Sequence, residues 1–371
     1  MIRQPIEFNT IELINDIKII SSSGKNQYSL KYKELNDRFN IWYDTGPGEF
    51  KVNKISISKQ IKLDKETFII FGLLQAEGTK SLRYANFQFS NSDPSLIKMV
   101  INYFISVWKV PKSFFSVEVY YWRKDFSEKE KLLEDFWKKI LNVKNITVRE
   151  GTAYRLSDKA KKFGVASLRI NNKSINGVIL NFLYKVIHPL VERNKMYAGW
   201  YLTGLFEGDG ILINKHLGNI GLSFNPHNDE FDHYQMILRL IGIDVDKKSI
   251  IKKYNRFIPI MNWRNYCILL DAVNCQLFLD DRNNIFIKAF LNNQYIKSLL
   301  RLKAIQYFSI TVKNYSIIFN CTTRSALDSL RRLESLGLLY CSKNKKPFEF
   351  HISYDGYSFL DFIDKLKSLG E

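Results

Sequence analysis

The stretches FIIFGLLQAEG (68–78) and MYAGWYLTGLFEGDG (196–210) decide the fold. Each stretch predicts a helix that ends at a glycine, the first beginning after the N-cap Asp64 and the second after Asn194. Their last acids, Glu77 and Asp209, lie 132 residues apart, at positions 77 and 209. Similar patterns follow both helices, so the sequence predicts an internal repeat in which each half runs helix, strands, helix, strands, helix.

The two halves are predicted from alternation for strands and from amphipathic spacing for helices. In the first half, strands are expected at 81–93 and 114–122, and helices at 94–108 and 175–187. In the second half, strands are expected at 221–229 and 249–260, and helices at 230–241 and 284–291.

The last part of the chain shows a different pattern. Three helices are predicted, the third capped by Thr322 or Thr323 and ended by Gly337, and a β-hairpin and a final helix follow. Three helices followed by a hairpin are typical of a winged helix-turn-helix. The prediction in full is an α+β protein with repeats at 61–190 and 191–296 and a winged helix-turn-helix at 297–371. Residues 1–60 are either a separate N-terminal extension or part of the first repeat. The predicted elements of this last part are Lys297–Phe308, Tyr315–Phe319, the capped helix, Leu338–Cys341, Phe348–Ser353 and Tyr357–Leu369.

Composition limits the classes of protein to which the chain can belong. Its 371 residues carry 55 Lys+Arg against 37 Asp+Glu, a net charge of +18 that suits a polyanion such as nucleic acid. The 46% hydrophobic content excludes a disordered chain. No run of about 18 apolar residues and no apolar leader are seen, so we expect an intracellular protein without a membrane partner, in the cytoplasm or nucleoid or in an organelle. The four scattered cysteines argue against a disulfide scaffold and a structural zinc site.

The ends of the two repeated helices carry the chemistry. Small residues four apart, Gly72 with Ala76 and Gly204 with Gly208, share one helix face and allow close helix packing. A close pair would place Glu77 and Asp209 side by side, where helix dipoles and mutual repulsion both disfavour carboxylates. A cation removes both objections, and oxygen-only ligands suit Mg²⁺, with Mn²⁺ as another divalent cation. The alternative is that the glycines serve packing alone.

The segments IFGLLQAEG (70–78) and LTGLFEGDG (202–210) resemble the paired LAGLIDADG motifs of monomeric, two-repeat homing endonucleases. The resemblance covers about residues 60–295. It implies an αββαββα fold for each repeat, two sheets forming a saddle over double-stranded DNA, and metal binding by the last acid of each motif. Those acids are Glu77 and Asp209, near the backbone of Ala76 and Gly208. Glu77 is one methylene longer than the aspartate usual there, and Gln75 stands where the second motif has Glu207.

The resemblance also implies further catalytic residues. Asn91 and Asn228 match a polar residue at the end of a strand early in each repeat, near the water bound to the metal. Lys173 and Arg282 match a basic residue before the last helix of each repeat. The alternative for these four residues is that they are solvated loop residues.

DNA contacts are expected on the sheet faces and in the C-terminal region. A two-stranded ribbon can enter the major groove, and alternation along the first strand turns Ala85, Phe87 and Phe89 towards the helices. In the winged helix, the third helix would meet bases or phosphates and the basic turn would meet phosphate. The candidates are Tyr84, Asn86, Gln88 and Ser90 on the first sheet, Lys252, Lys253, Asn255 and Arg256 on the second, Thr323, Arg324, Ser325, Asp328, Arg331 and Arg332 on the third helix, and Lys343, Lys345 and Lys346 in the turn.

These patterns predict a monomeric, site-specific DNA endonuclease that hydrolyses phosphodiester bonds with Mg²⁺, and the resemblance implies that it cuts both strands. Two alternatives remain open. Sporulation regulators of the WhiA type join a degenerate LAGLIDADG scaffold to a helix-turn-helix and bind DNA without cutting it, although their acids are typically lost. Some relatives are RNA-splicing maturases, in which case the partner would be a structured RNA.

Overall fold

The computed structural model describes residues 6–15, 17–20, 27–44, 54–79, 87–121, 126–151, 158–212, 220–224, 230–243, 250–252, 255–260, 263–273, 300–306, 308–342 and 346–370. Helices and sheets are both present and largely antiparallel strands build the sheets, so the predicted α+β class is confirmed. The chain divides into two compact units, Met1–Asp209 and Gly210–Glu371. The division falls at the end of the second motif helix because that helix packs on the first motif helix.

The first unit opens with small sheets built by the segment before the first motif. The first strand pairs antiparallel with the last strand of the segment, Ile6 opposite Leu63, so the N-terminal segment is attached just before the motif helix. Two further sheets pair β2 with β3 and order the others β4-β5-β6. The elements are β1 (Ile6–Asn9), α1 (Ile11–Ile14), β2 (Lys18–Ile20), β3 (Gln27–Ser29), β4 (Lys31–Glu34), β5 (Arg38–Trp42), β6 (Ile55–Ser58) and β7 (Gln60–Leu63).

The two motif helices begin and end where they were predicted, the first after the predicted cap Asp64 and the second after Asn194. Helix α2 (Lys65–Glu77) begins after Asp64, whose Oδ1 accepts from the Thr67 N–H at 3.1 Å. The later motif helix (Lys195–Asp209) follows Asn194, whose Oδ1 accepts from the Met196 N–H at 3.0 Å. Both caps satisfy amide groups that the first turn of a helix leaves without a partner.

A four-stranded sheet lies between the motif helices in the sequence. Its strand order is β10-β9-β11-β8, with β8 antiparallel to β11, β11 antiparallel to β9, and β9 parallel to β10. The elements are β8 (Phe87–Asn91), α3 (Pro94–Ser106), β9 (Phe115–Tyr121), α4 (Phe126–Leu141), β10 (Asn145–Glu150), α5 (Asp158–Phe163) and β11 (Val165–Ile170).

The first half is therefore more elaborate than the predicted helix, strands, helix, strands, helix. The segment from α4 to α5 separates β9 from β11 and adds the parallel strand β10 to the edge of the sheet. The predicted helices at 94–108 and 175–187 and the strand at 114–122 are confirmed within a few residues.

The helical run after β11 is longer than expected. It comprises α6 (Lys173–Phe182), a π-helical segment (Leu183–Ile187) and α7 (His188–Val191), and it leads to α8 (Lys195–Asp209). The run Lys173–Val191 is long and apolar enough to span a membrane, with mean hydropathy 1.2, but 67% of it is buried inside the structure. That burial is what a core helix of a folded unit shows.

The second unit opens with a four-stranded sheet of order β12-β13-β15-β14, in which all pairs are antiparallel. Helix α9 confirms the prediction at 230–241, whereas α10 was not predicted. The predicted helix 284–291 lies outside the described residues. The elements are β12 (Gly210–Leu212), β13 (Ile220–Phe224), α9 (Glu230–Ile241), β14 (Ile250–Lys252), β15 (Asn255–Ile260) and α10 (Trp263–Ala272).

The C-terminal part of this unit has a three-stranded sheet of order β16-β18-β17 with helices before and after it. The predicted helix Lys297–Phe308 is instead a short 3₁₀ helix over Leu300–Ile305 within the described residues. Thr322 caps the predicted third helix, Gly337 follows it with φ 75°, and the final helix begins three residues before the predicted Tyr357. The elements are β16 (Ile310–Thr311), α11 (Val312–Ile318), α12 (Thr323–Ser335), β17 (Leu339–Ser342), β18 (Glu349–Ile352) and α13 (Tyr354–Gly370).

Candidate active site

The two motif helices, α2 and α8, cross with their backbones in contact. A Cβ atom built on Gly72 would lie 2.0 Å from the carbonyl oxygen of Tyr201, and one built on Gly204 would lie 1.9 Å from that of Ile69. Side-chain atoms do not approach oxygen atoms this closely, so only glycine fits at either position. The prediction that the small residues allow close helix packing is confirmed for Gly72 and Gly204.

The crossing continues to the ends of both helices, where the predicted acids lie. A Cβ on Gly208 would lie 2.3 Å from the Cβ of Ala76 and 3.1 Å from the Cγ of Glu77. The half-exposed Glu77 side chain therefore lies against the residue that directly precedes Asp209. Asp209 is the last residue of α8; its backbone is described and its side chain is not.

Glu77 and Asp209 are the residues at these helix ends that could hold a hard cation. A helix C-terminus carries partial negative charge, so acids at the ends of two packed helices disfavour one another unless a cation lies between them. Within the described part of the chain, no group of three or more His, Cys, Asp or Glu side chains could hold a metal ion. Mg²⁺ is commonly bound by only one or two carboxylates, with water and substrate phosphate completing its shell. Glu77, Asp209 and nearby backbone oxygens fit that pattern.

The chain passes directly from Glu77 into the first sheet. The Gly78 N–H donates to the Leu74 carbonyl at 2.8 Å, and Gly78 forms an isolated antiparallel bridge with Phe89. The Thr79 N–H donates to the Gln88 carbonyl at 2.8 Å, and the Thr79 hydroxyl accepts from the Gln88 N–H at 2.8 Å. In this register the end of α2 lies beside the part of β8 that contains Ser90 and Asn91.

Asn91 and Lys173 lie near opposite ends of the β8–β11 ladder. Asn91 pairs with Ala166 at one end of the β8–β11 ladder, and its Oδ1 accepts from the Asp93 N–H at 2.8 Å. At the other end Phe87 pairs with Ile170, three residues before Lys173. Four residues of strand span about 13 Å, so the structure brings Asn91 near the end of α2 and does not bring Lys173 to Asn91.

Lys173 is the first residue of α6, after Asn172, whose side chain caps the helix by accepting from the Ile175 N–H at 3.2 Å. Its side chain is half-exposed, and burial lowers its pKa below the ordinary lysine value. The neutral form of the amine is therefore more populated at a given pH than in a solvated lysine.

The open face of the first sheet is polar. Phe87 and Phe89 are buried while Gln88 and Ser90 are half-exposed, so the predicted alternation along this strand is confirmed for these four residues. Ser90 donates to the Ser167 hydroxyl at 3.3 Å on the neighbouring strand. We call this side of the sheet the polar face; its residues are Gln88, Ser90, Ser116, Glu118, Tyr120, Asn145, Thr147, Arg149, Arg169 and the buried Ser167.

The remaining predicted contacts lie in the second unit or outside the described residues. Lys252 and Asn255 pair across β14 and β15, and Arg256 pairs with Ile251; only their backbones are described. On α12, Ala326, Leu330 and Leu333 are buried and the predicted contact residues Thr323, Arg324, Ser325, Asp328, Arg331 and Arg332 are exposed, as is Lys346. Outside the described residues lie Tyr84, Asn86, Lys253, Asn228, Arg282, Lys343 and Lys345.

A hydrogen-bonded group that joins α2, α7 and α8 was not predicted from the sequence. The buried Gln75 places its Oε1 3.0 Å from Nε2 of His188, which is 3.3 Å from the Tyr201 hydroxyl. Gln75 and His188 are 113 residues apart, and the only signal in the sequence was the Gln75/Glu207 difference between the motifs.

No protein-family model matches the sequence, and no curated protein matches it. Among solved structures, the chain is similar to an I-DmoI variant in complex with its target DNA and Mn, with 10% identity and a TM-score of 0.30, covering 57% of this chain and 96% of that one. It is similar to I-DmoI in complex with DNA and Mn at 10% identity and a TM-score of 0.27, covering 56% and 96%. It is also similar to full-length DUF199/WhiA from Thermatoga maritima at 13% identity and a TM-score of 0.32, covering 74% and 92%. At these values the similarities do not establish a family for this chain.

Proposed function

We propose that this chain is a sequence-specific endonuclease for double-stranded DNA that uses Mg²⁺, or Mn²⁺ in its place. One observation carries the proposal. The Cγ of Glu77, at the end of the first motif helix, lies 3.1 Å from the position of a Cβ built on Gly208. Gly208 directly precedes Asp209, the acid that ends the second motif helix. Two acids at adjoining helix ends are the arrangement that a shared divalent cation stabilises.

Each part of the site has a role in this proposal. Glu77 and Asp209 would hold the metal, with backbone oxygens near Ala76 and Gly208. A metal held there would supply a polarised water for attack on a phosphate and positive charge beside the leaving oxygen. Asn91, beside the end of α2, would orient the water that attacks. Lys173, with its lowered pKa, is a further candidate for proton transfer, near the opposite end of the β8–β11 ladder from Asn91.

The charge distribution supports DNA as the partner. The net charge is +18, and the polar face of the first sheet continues directly from the end of the helix that carries Glu77. One chain supplies both acids, so the proposed enzyme acts as a monomer. In the second unit we propose that β16, α11, α12, β17 and β18 belong to a winged helix-turn-helix, from which the exposed Arg324 and Arg331 of α12 would contact DNA.

The second candidate is a DNA-binding regulator that does not cut. The observation in its favour is that the first motif helix ends in Glu77, one methylene longer than the aspartate usual in the motif that it resembles. Such a protein would use the same polar face and the same C-terminal region.

The experiment is cleavage of a library of random duplex DNA with and without Mg²⁺. Wild type is compared with Glu77→Gln and Asp209→Asn, and the matched control is Glu66→Gln, which makes the same change at the opposite end of α2. We expect wild type and Glu66→Gln to cut both strands at one sequence, and the other two variants to bind that sequence but cut at least about 100-fold more slowly. Specific binding without any cutting by wild type would establish the regulator instead. Binding to a structured intron RNA in preference to duplex DNA would indicate a maturase.

A further inference from the structure

The centre of the polar face holds a carboxylate that two arginines share. Glu118, on β9, is only 16% exposed. Its Oε2 lies 2.6 Å from Nη2 of Arg169 on β11, and its Oε1 lies 3.0 Å from Nη2 of Arg149 on β10. The Tyr120 hydroxyl donates to Oε2 at 3.1 Å.

The strand register explains how the two arginines meet. Glu118 pairs with Ser167 on one side and Thr147 on the other, whereas Arg169 pairs with Ser116 and Arg149 pairs with Tyr120. The arginines therefore approach the same carboxylate diagonally from the two strands that flank β9. Diagonal neighbours on one sheet face are within reach of long side chains.

A carboxylate at the centre of a surface that binds DNA is unexpected. A carboxylate on the surface would repel phosphate and weaken the binding that the basic residues provide. Here the carboxylate is bonded on both oxygens, so its main effect is to fix the direction of the guanidinium groups. A guanidinium group has five N–H donors, so a bond from Nη2 to one carboxylate oxygen leaves donors for a ligand.

The neighbour of Arg169 on its other side is also able to read a base. Arg169 pairs directly with Gln88 across β11 and β8, and the Gln88 Nε2 donates to the Ser90 hydroxyl at 3.4 Å. Arginine binds O6 and N7 of guanine through two hydrogen bonds, and glutamine binds N6 and N7 of adenine in the same way. A phosphate contact has no need of a fixed guanidinium plane, whereas a two-bond contact with guanine does.

We infer that Glu118 is a positioning residue that holds Arg169 for the recognition of one guanine in the major groove of the target. The inference rests on the proposed function only in taking duplex DNA as the partner, and it holds equally for a nuclease and for a regulator that does not cut. Gln88 contacts the neighbouring base pair. Arg149, 59% exposed, holds Glu118 from the opposite side.

The test uses the full chain and the duplex that it selects from a random library. Each guanine of that duplex is replaced in turn by 7-deazaguanine, which lacks the N7 acceptor, and binding is measured for wild type, Arg169→Lys and Glu118→Gln. For wild type we expect one guanine whose replacement weakens binding about 10-fold or more. The same replacement has a much smaller effect on Arg169→Lys, because lysine keeps the charge but lacks the planar fork of donors. Glu118→Gln is expected to fold and to keep its overall affinity for DNA, since it removes no positive charge from the face. It loses most of the discrimination at that one guanine, because Arg169 is no longer held in one direction.

The control is Arg38→Lys, the same change on β5, which leaves the response to every guanine as in wild type. The inference is overturned if Arg169→Lys responds to all guanines as wild type does, or if it weakens binding to all sequences equally, as a phosphate contact would. It is also overturned if Glu118→Gln is folded and keeps full discrimination at that guanine. If wild type binds no duplex, the proposed function fails together with the inference, and that result is distinct from specific binding that does not depend on Arg169.

Discussion

The substitution Gly204→Ala tests the contact between the motif helices. The new Cβ would lie 1.9 Å from the carbonyl oxygen of Ile69, where about 3.2 Å is needed. The helices would have to separate by roughly 1.3 Å, because neither partner is a side chain that can rotate away. Overpacking a well-packed core typically costs about 1–3 kcal/mol, while alanine in place of a helical glycine gains about 1 kcal/mol. Because the clash is with backbone, we expect the upper end of that cost and a net loss of about 2 kcal/mol.

The assay is urea unfolding followed by tryptophan fluorescence. Five of the six tryptophans precede residue 210, so the signal reports mainly on the first unit. A loss of about 2 kcal/mol appears as a lower midpoint at an unchanged denaturant slope. The matched control is Gly177→Ala on the buried helix α6, where the new Cβ would meet only methyl groups of Ile17 and Ile19, the nearest at 2.8 Å. A Gly204→Ala variant as stable as wild type would refute the backbone contact.

Three further predictions concern Gly208 at the end of α8, the cap of α2 and a buried histidine in α9. Gly208→Ala places a Cβ 2.3 Å from that of Ala76 and destabilises the first unit in the same urea assay. Adding Ala76→Gly restores most of the lost stability, and a double variant without that recovery would contradict the contact. Asp64→Ala removes the cap of α2 and costs about 1 kcal/mol, whereas Asp64→Asn keeps the cap and stays near wild type. His233 is 7% exposed and burial lowers its pKa to about 4, so the folded protein favours the neutral ring. The free energy of unfolding of the second unit is therefore highest above pH 6.5 and falls by about 3 kcal/mol as the pH is lowered to 4. Amide hydrogen exchange in α9 shows this fall for wild type and not for His233→Gln.

The motif helices could be predicted because their signals are local. Asp64 and Asn194 cap the helices, glycines follow their ends, and the small residues four apart lie on one face, so no distant part of the chain is needed to place them. The same holds for α12, whose cap Thr322 and buried Ala326, Leu330 and Leu333 follow a helical repeat.

What could not be predicted depends on pairing between distant segments. The segment from α4 to α5 places β10 parallel to β9, and no pattern within β10 determines its partner. Glu118, Arg149 and Arg169 lie on three strands, so their convergence follows only from the register. Gln75 and His188 meet across 113 residues. The separation of Asn91 from Lys173 likewise depends on β8 and β11 being antiparallel, which alternation alone does not determine.

The most direct test of the central claim is the single-turnover rate of DNA cleavage at the selected site, measured as a function of Mg²⁺ for wild type, Glu77→Gln, Asp209→Asn and Glu66→Gln. We expect no cutting without the metal, a rate that saturates with Mg²⁺ in wild type and Glu66→Gln, and a loss of at least about 100-fold in both of the other variants while they still bind the site. Cleavage by Glu77→Gln at the wild-type rate, or wild-type cleavage that needs no divalent metal, would contradict the account.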